Sequence, residues 1–450
     1  GMGIRRATAT RILHLGPGAF FRAHMAAYCE KALAQDRSFG IAAVSMRSTA
    51  IVDALAAQHC IYTLGEMHAR GLEVRPVGVI REALALSRDR ARCMEIALDP
   101  GLSIISMTVT EKGYALDPAT GALDFDHADI RHDLDHPSEP VSVVGLLTAI
   151  LAARREAGLA WPTVMSLDNL RHNGRLLKAA LIAFAGRANS DLAAAIDNDL
   201  AAPASMVDRI TPATGPADID AVAARIGWRD RAAVLTEPFT QWVIEDHFVS
   251  DRPAWERHGA ILTDNVEPFE NAKLRLINAP HSALAWIGLL RGRETVADAM
   301  ADPVIRRFVE TLLHEDLAPV TDAPEGLDKG EYIASVIGRF ANPAIHHRLA
   351  QIATDSSQKI AQRLVPVLEA HRKRGRVPPH VCRAIAVWIM LWQKGLATAD
   401  PMGDELAASV RADPCDTADA FFAIRSVFGE RIGCDPDIRS TVHAALADLA

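Results

Sequence analysis

In the first half of the chain, short apolar runs alternate with longer stretches whose apolar residues recur every three or four positions. Residues 12–15, 39–46, 74–80, 102–110 and 163–166 read as strands, and 19–33, 53–58 and 141–157 as helices. The run 102–110, LSIISMTVT, is apolar or β-branched almost throughout, the mark of a strand covered on both faces. Strands alternating with helices predict an α/β architecture, a doubly wound and mainly parallel sheet with crossover helices. From about residue 265 the period becomes helical, at 273–290, 304–314, 332–340, 351–370, 381–394 and 418–427. The change predicts two domains, residues 1–264 and a mostly α-helical 265–450. A chain of 450 residues also exceeds what one core ordinarily holds.

Composition narrows the function classes without choosing one. With 49% apolar and 23% charged residues, the chain reads as an ordinary globular protein. A net charge of −8 argues against nucleic acid as a partner, because neutralising phosphates needs a basic face. No apolar stretch approaches the roughly 18 residues of a membrane span. The first apolar run, at 12–15, is too short for the apolar region of a signal peptide. The cysteines, Cys29, Cys60, Cys93, Cys382, Cys415 and Cys434, form no CxxC pair and suit a reducing compartment. A cytoplasmic protein is the expectation.

Chemistry is expected first where the opening strand ends. In ILHLGPGAFFRAH (12–24) the strand closes at Leu15, glycines follow at 16 and 18, and a helix begins near Ala19. A doubly wound sheet binds a dinucleotide pyrophosphate at this point, so residues 1–264 read as a Rossmann-like domain. Gly16 would permit the tight turn and Gly18 a close backbone approach to phosphate; the other reading is an ordinary strand–helix turn. Phe21 stands where a third glycine or alanine would complete GxGxxG. The second strand normally ends in an acid that binds the adenosine ribose. Here the run is Val44-Ser45-Met46-Arg47-Ser48, with no acid. Arg47 and Ser48 could accept a 2′-phosphate, which leaves NADP open, or Arg47 could simply be solvated.

A second concentration of chemistry lies in PFENAKLRLINAPHSALAWIGLL (268–290), which holds Glu270, Lys273, Asn278 and His281. On a regular helix, at about 100° per residue, these four span an arc of roughly 140°. Pro280 removes a backbone hydrogen bond and is expected to kink the helix, aiming His281. A desolvated lysine can exchange a proton with an alcohol, and carboxamides can stabilise an alkoxide. The alternative is a surface lysine beside core polar groups that are already satisfied.

At this helix the chain resembles the mannitol dehydrogenase family, the polyol-specific long-chain dehydrogenases/reductases. The family's Lys-x4-Asn-x2-His pattern is present as Lys273, Asn278 and His281. LGPGAFFRAH (15–24), TVTEKGY (108–114), SLDNLRHNG (166–174), SMVDRITP (205–212), TEPFTQWVIEDHF (236–248) and TDSSQKIAQRL (354–364) are similar to further family blocks. The resemblance implies an NAD-linked oxidoreductase that interconverts a sugar-derived ketone and alcohol and requires no metal. It implies Lys273 as general acid/base, Asn169 and Asn278 as the pair that stabilises the alkoxide, and His281 and Asp208 as substrate-orienting groups. Glu270 would relay or gate the proton, a role Glu111 would share. Gly16, Gly18, Ala19, Phe20, Arg47 and Glu111 would contact the cofactor. A monomer with no partner beyond a small-molecule substrate is expected.

Lys359 and Arg363 stand four residues apart, as on one helical face. Fixed cations suit a uronate carboxylate better than a neutral polyol, although an exposed basic face would have the same spacing. The block around them also reads closer to the fructuronate reductase branch. The expected reaction is therefore interconversion of D-mannonate and D-fructuronate. Mannitol 2-dehydrogenase and tagaturonate reductase activities are the alternatives.

Overall fold

A computed structural model describes residues 4–117 and 120–449. The chain divides into two compact units, Gly1–Glu267 and Pro268–Ala450. In the first, the described strands run in chain order as β1 (Thr10–Leu15), β2 (Gly40–Ser45), β3 (Tyr62–His68), β4 (Gly71–Val77), β5 (Ile80–Ala85), β6 (Ile104–Met107), β7 (Thr163–Ser166), β8 (Ser205–Asp208), β9 (Val234–Thr236), β10 (Gln241–Glu245) and β11 (Ile261–Thr263).

Five of these form a wholly parallel sheet in the order β5-β2-β1-β6-β7. Leu15 at the end of β1 sits between Val44 of β2 and Met107 of β6. The chain leaves β1 toward β2 on one side and later fills the other side with β6, so a crevice opens at these carboxyl ends. Alternate residues serve opposite faces. Leu13, Leu15, Ala42, Val44, Ile105 and Met107 join one apolar core. Ile12, Ile41, Ala43 and Ile104 join another. Both faces are covered, which is why the central strands are mostly apolar rather than alternating. Two smaller sheets, β4-β3-β9 and β11-β10-β8, complete the unit.

Three elements expected in this unit differ. The helix expected at 19–33 is two, Ala19–Ala23 and Met25–Ala32, broken at His24. The strand expected at 74–80 is the end of β4 and the start of β5, which belong to different sheets. The long strand expected at 102–110 shortens to β6, because the N–H groups of Val109 and Thr110 donate to the Asp168 carboxylate instead of a ladder.

The second unit is helical, and no strand occurs among its described residues. Helices Ala279–Leu290 and Pro379–Gln393 are buried on nearly every side and anchor its core. Three π turns interrupt its helices, at Leu274–Asn278, Leu312–Leu317 and Ile360–Leu364. Each is followed two residues later by a proline: Pro280, Pro319 and Pro366. A proline has no N–H for the carbonyl four residues earlier, and its ring collides with that carbonyl. In all three cases that carbonyl lies inside the π turn, whose wider winding moves it clear. The third turn replaces the continuous helix expected at 351–370 by Leu349–Ile352, Ser356–Lys359, the π turn and Val365–Arg372.

Candidate active site

The glycine turn after β1 is built from below by a buried histidine. His14 places Nδ1 2.9 Å from Ser106 Oγ and Nε2 3.1 Å from Thr108 Oγ1, and its ring stacks on Phe21 at 3.6 Å. Burial lowers its pKa to about 3, so it is a neutral hydrogen-bonding strut. Above it, Gly16 has φ +93°, and a Cβ there would stand 2.1 Å from the Thr108 carbonyl oxygen. The chain itself therefore demands glycine at 16. Gly18 differs: a Cβ there would meet nothing closer than the Gly16 oxygen at 4.0 Å. The space over Gly18 is open, as a backbone that closely approaches a ligand requires. Arg22 is buried and donates to the carbonyls of Pro17, Gly18 and Ala232, tying down the turn. Ala19 and Phe20 follow at the partly exposed start of the short helix.

A pocket of about 310 Å³ adjoins this turn and is lined by Gly16, Ser45, Arg47, Thr108, His127 and Asp129 among others. Its position at the ends of β1, β2 and β6 matches a dinucleotide site, and the open cradle at Gly18 fits a pyrophosphate. The acid missing from the end of β2 has a counterpart here. Asp129, from helix Ala128–Asp135, accepts a hydrogen bond from the Arg47 guanidinium at 2.5 Å. Sequence reasoning missed it because Asp129 lies 82 residues from Arg47.

Asp168 was also missed, although its neighbour Asn169 was expected. It follows β7, accepts the N–H groups of Val109 and Thr110 at 3.1 and 2.8 Å, and accepts the Tyr114 hydroxyl at 2.8 Å. Burial raises its pKa, while those donors act in the opposite sense. The same clasp holds Thr110 at φ 67°, ψ 163°, a conformation that costs a side-chain-bearing residue energy. Glu111 is the next residue and is exposed, as is Asn169. Asp208 ends β8 and is buried, opposite Gln241 of β10.

In the second unit, Glu270 and Lys273 are both buried, one turn apart in helix Glu267–Lys273. The π turn begins at the next residue. Its extra residue delays everything after it, so the arc spanned by Glu270, Lys273, Asn278 and His281 narrows from roughly 140° to roughly 80°. The distortion expected as a kink at Pro280 is thus a π turn ahead of it, and it turns Asn278 and His281 toward the side of Lys273. His281 stacks on Phe340 at 4.9 Å and meets the His347 ring edge-on at 5.1 Å. Its Nε2 is buried without a hydrogen-bond partner among the described residues. Burial, then the neighbouring His347 and the cations Arg363, Arg339 and Lys359, hold its pKa well below the usual value.

A π turn, Ile360–Leu364, begins after Lys359 and includes Arg363, and the two cations find different partners. Lys359 Nζ donates to the carbonyls of Ile352 and Thr354, at 2.9 and 2.5 Å. Arg363 reaches the Asn278 carbonyl at 3.0 Å and Ser282 Oγ at 2.8 Å, linking two π turns.

The sheet and glycine turn thus define a Rossmann-type dinucleotide fold, and the second unit carries a buried lysine on the same segment as Asn278 and His281. Residues 10–257 match the mannitol dehydrogenase Rossmann domain and 265–450 the mannitol dehydrogenase C-terminal domain, so the chain belongs to the mannitol dehydrogenase family. It is 37% identical to D-mannonate oxidoreductase of Escherichia coli, over 98% of this chain and 93% of that one. It is 36% identical to mannitol 2-dehydrogenase of Aspergillus fumigatus, over 99% and 91%. Among solved structures, a D-sorbitol dehydrogenase in substrate-free form matches with TM-score 0.91 and 31% identity, over 98% and 93% of the two chains. Mannitol 2-dehydrogenase of Pseudomonas fluorescens, in a ternary complex with NAD and D-mannitol, matches with TM-score 0.85 and 33% identity, over 98% and 92%. The chain is a dehydrogenase of the sugar-alcohol class. Among the described residues, no helix is long and apolar enough to cross a membrane.

Proposed function

We propose that the chain interconverts D-mannonate and D-fructuronate with NAD, using Lys273 as the acid/base and no metal. The observation that carries the chemistry is the buried Lys273 directly ahead of a π turn, whose wider winding supports a reading in which Asn278 and His281 share its side. When bound, NADH supplies the hydride. Lys273, as ammonium, donates its proton to the ketone oxygen; as free amine it takes the hydroxyl proton in oxidation. Asn278, with Asn169 by the family resemblance, donates to that oxygen as charge grows on it. Glu270, one turn from Lys273, passes the proton onward. His281, kept neutral, orients a substrate hydroxyl, and so does Asp208. Gly16, Gly18, Ala19, Phe20, Arg47 and Glu111 hold the dinucleotide.

Two findings support a uronate over a neutral ketose. One is the 37% identity to a D-mannonate oxidoreductase. The other is the positive charge gathered around His281 from Arg339, Lys359 and Arg363. A carboxylate gains from that field without needing a direct ion pair to each cation. Mannitol 2-dehydrogenase activity is the second reading, favoured by the 36% identity to the Aspergillus enzyme. Initial rates with fructuronate, tagaturonate and fructose, each with NADH and NADPH, separate them. Fructuronate with NADH is expected to give the highest kcat/KM; strong fructose turnover with neither keto-acid used would reject the uronate reading.

A further inference from the structure

The second strand of this sheet ends without the acid that usually receives the adenosine ribose, yet the proposed cofactor is NAD. β2 closes at Ser45, and Arg47 stands just beyond at the pocket rim, with its side chain 78% exposed. Left alone, such a guanidinium is a ready partner for a ribose 2′-phosphate. It is not left alone. Asp129 Oδ2 lies 2.5 Å from it, and both residues line the same pocket as Gly16, Ser45 and Ser48. Asp129 is held in place at the start of its helix, where its N–H donates to His127 Nδ1 at 3.3 Å. The other titratable side chains lining this pocket are His127 and Lys112.

We infer that Asp129 is the residue through which this chain selects NAD over NADP. It does so by engaging the Arg47 guanidinium and so withholding it from a ribose 2′-phosphate. The acid is contributed from across the pocket instead of by the strand itself, and Arg47 is a masked phosphate site. The inference rests on the dinucleotide reading of the pocket.

Direct binding tests it without turnover. NADH and NADPH are titrated by nucleotide fluorescence into the wild type, Asp129→Asn, Arg47→Ala and the double variant, with each protein's melting temperature recorded. Asp129→Asn keeps the side chain's size and removes its charge, and should tighten NADPH about tenfold while leaving NADH within about threefold. Adding Arg47→Ala should abolish that gain, and raised salt should shrink it. An unchanged NADPH-to-NADH ratio in a folded Asp129→Asn protein would overturn the inference and leave the dinucleotide reading intact. So would a gain that persists without Arg47. If neither nucleotide binds the wild type, the dinucleotide reading itself fails. Should Asp129→Asn not fold, Asp129→Ser answers the same question.

Discussion

The glycine turn of the first unit and the lysine helix of the second place their functional groups by opposite means. The turn lies at the end of a regular parallel sheet, and its chemistry is mostly backbone held in place by buried side chains, His14 and Arg22. The lysine helix carries its chemistry on side chains, and a regular helix would spread them too widely; an irregular turn is what gathers them. A sheet edge offers a ready-made crevice, whereas a single helix face must be reshaped before several residues on it can serve one ligand.

The comparison breaks most sharply at Lys273. Lys273→Ala is expected to lower kcat by about 10³-fold while NADH binding, read by fluorescence, changes less than threefold. Near-native turnover would remove the lysine from the mechanism. The next contrast is between the two glycines. Gly16→Ala should destabilise the protein by about 3 kcal/mol or more, because a methyl group would enter the Thr108 carbonyl. Gly18→Ala should leave chemical-denaturation stability within about 1 kcal/mol yet weaken NADH binding about tenfold. Equal loss of stability at both positions would show that the space over Gly18 is not kept for a ligand.

Acid should reveal the strut beneath the turn. The folded-state pKa of His14 is about 3, against 6.5 unfolded, so below pH 6.5 the unfolded chain binds a proton that the native one refuses. Stability is therefore lost as pH falls from 6.5 toward 3, by about 2 kcal/mol at pH 5 from this residue alone. In His14→Gln the difference in unfolding free energy between pH 7.5 and pH 5 should be smaller by that amount; an unaltered difference would contradict a buried neutral imidazole. His281 is held neutral in the same sense, so the kcat/KM profile should show no histidine limb between pH 5.5 and 7.5. The smallest effect concerns the clasp at Asp168. Thr110→Gly should stabilise the fold by about 1 kcal/mol by relieving the positive φ, while loosening the loop that carries Glu111.

Much of this was legible in the sequence. The apolar runs marked β1, β2, β6 and β7, because strands buried on both faces have few polar positions to confuse the reading. The glycine turn was legible because its geometry depends on adjacent residues, and Lys273, Asn278 and His281 because they share one segment. The proline pattern was legible in principle as well: Pro280 and Pro366 stand inside helical periodicity and mark two of the π turns, although the sequence reading took the first of them for a kink. What only the tertiary structure decided were the pairings between residues far apart in the chain. Asp129 meets Arg47 across 82 positions, Asp168 sets the backbone at Thr110, and Arg363 reaches Asn278. Periodicity and local motifs report on neighbours within a turn or a strand. A charge or hydrogen bond that closes a long loop leaves no mark on the local pattern, since its geometry exists only once the sheet and helices have packed.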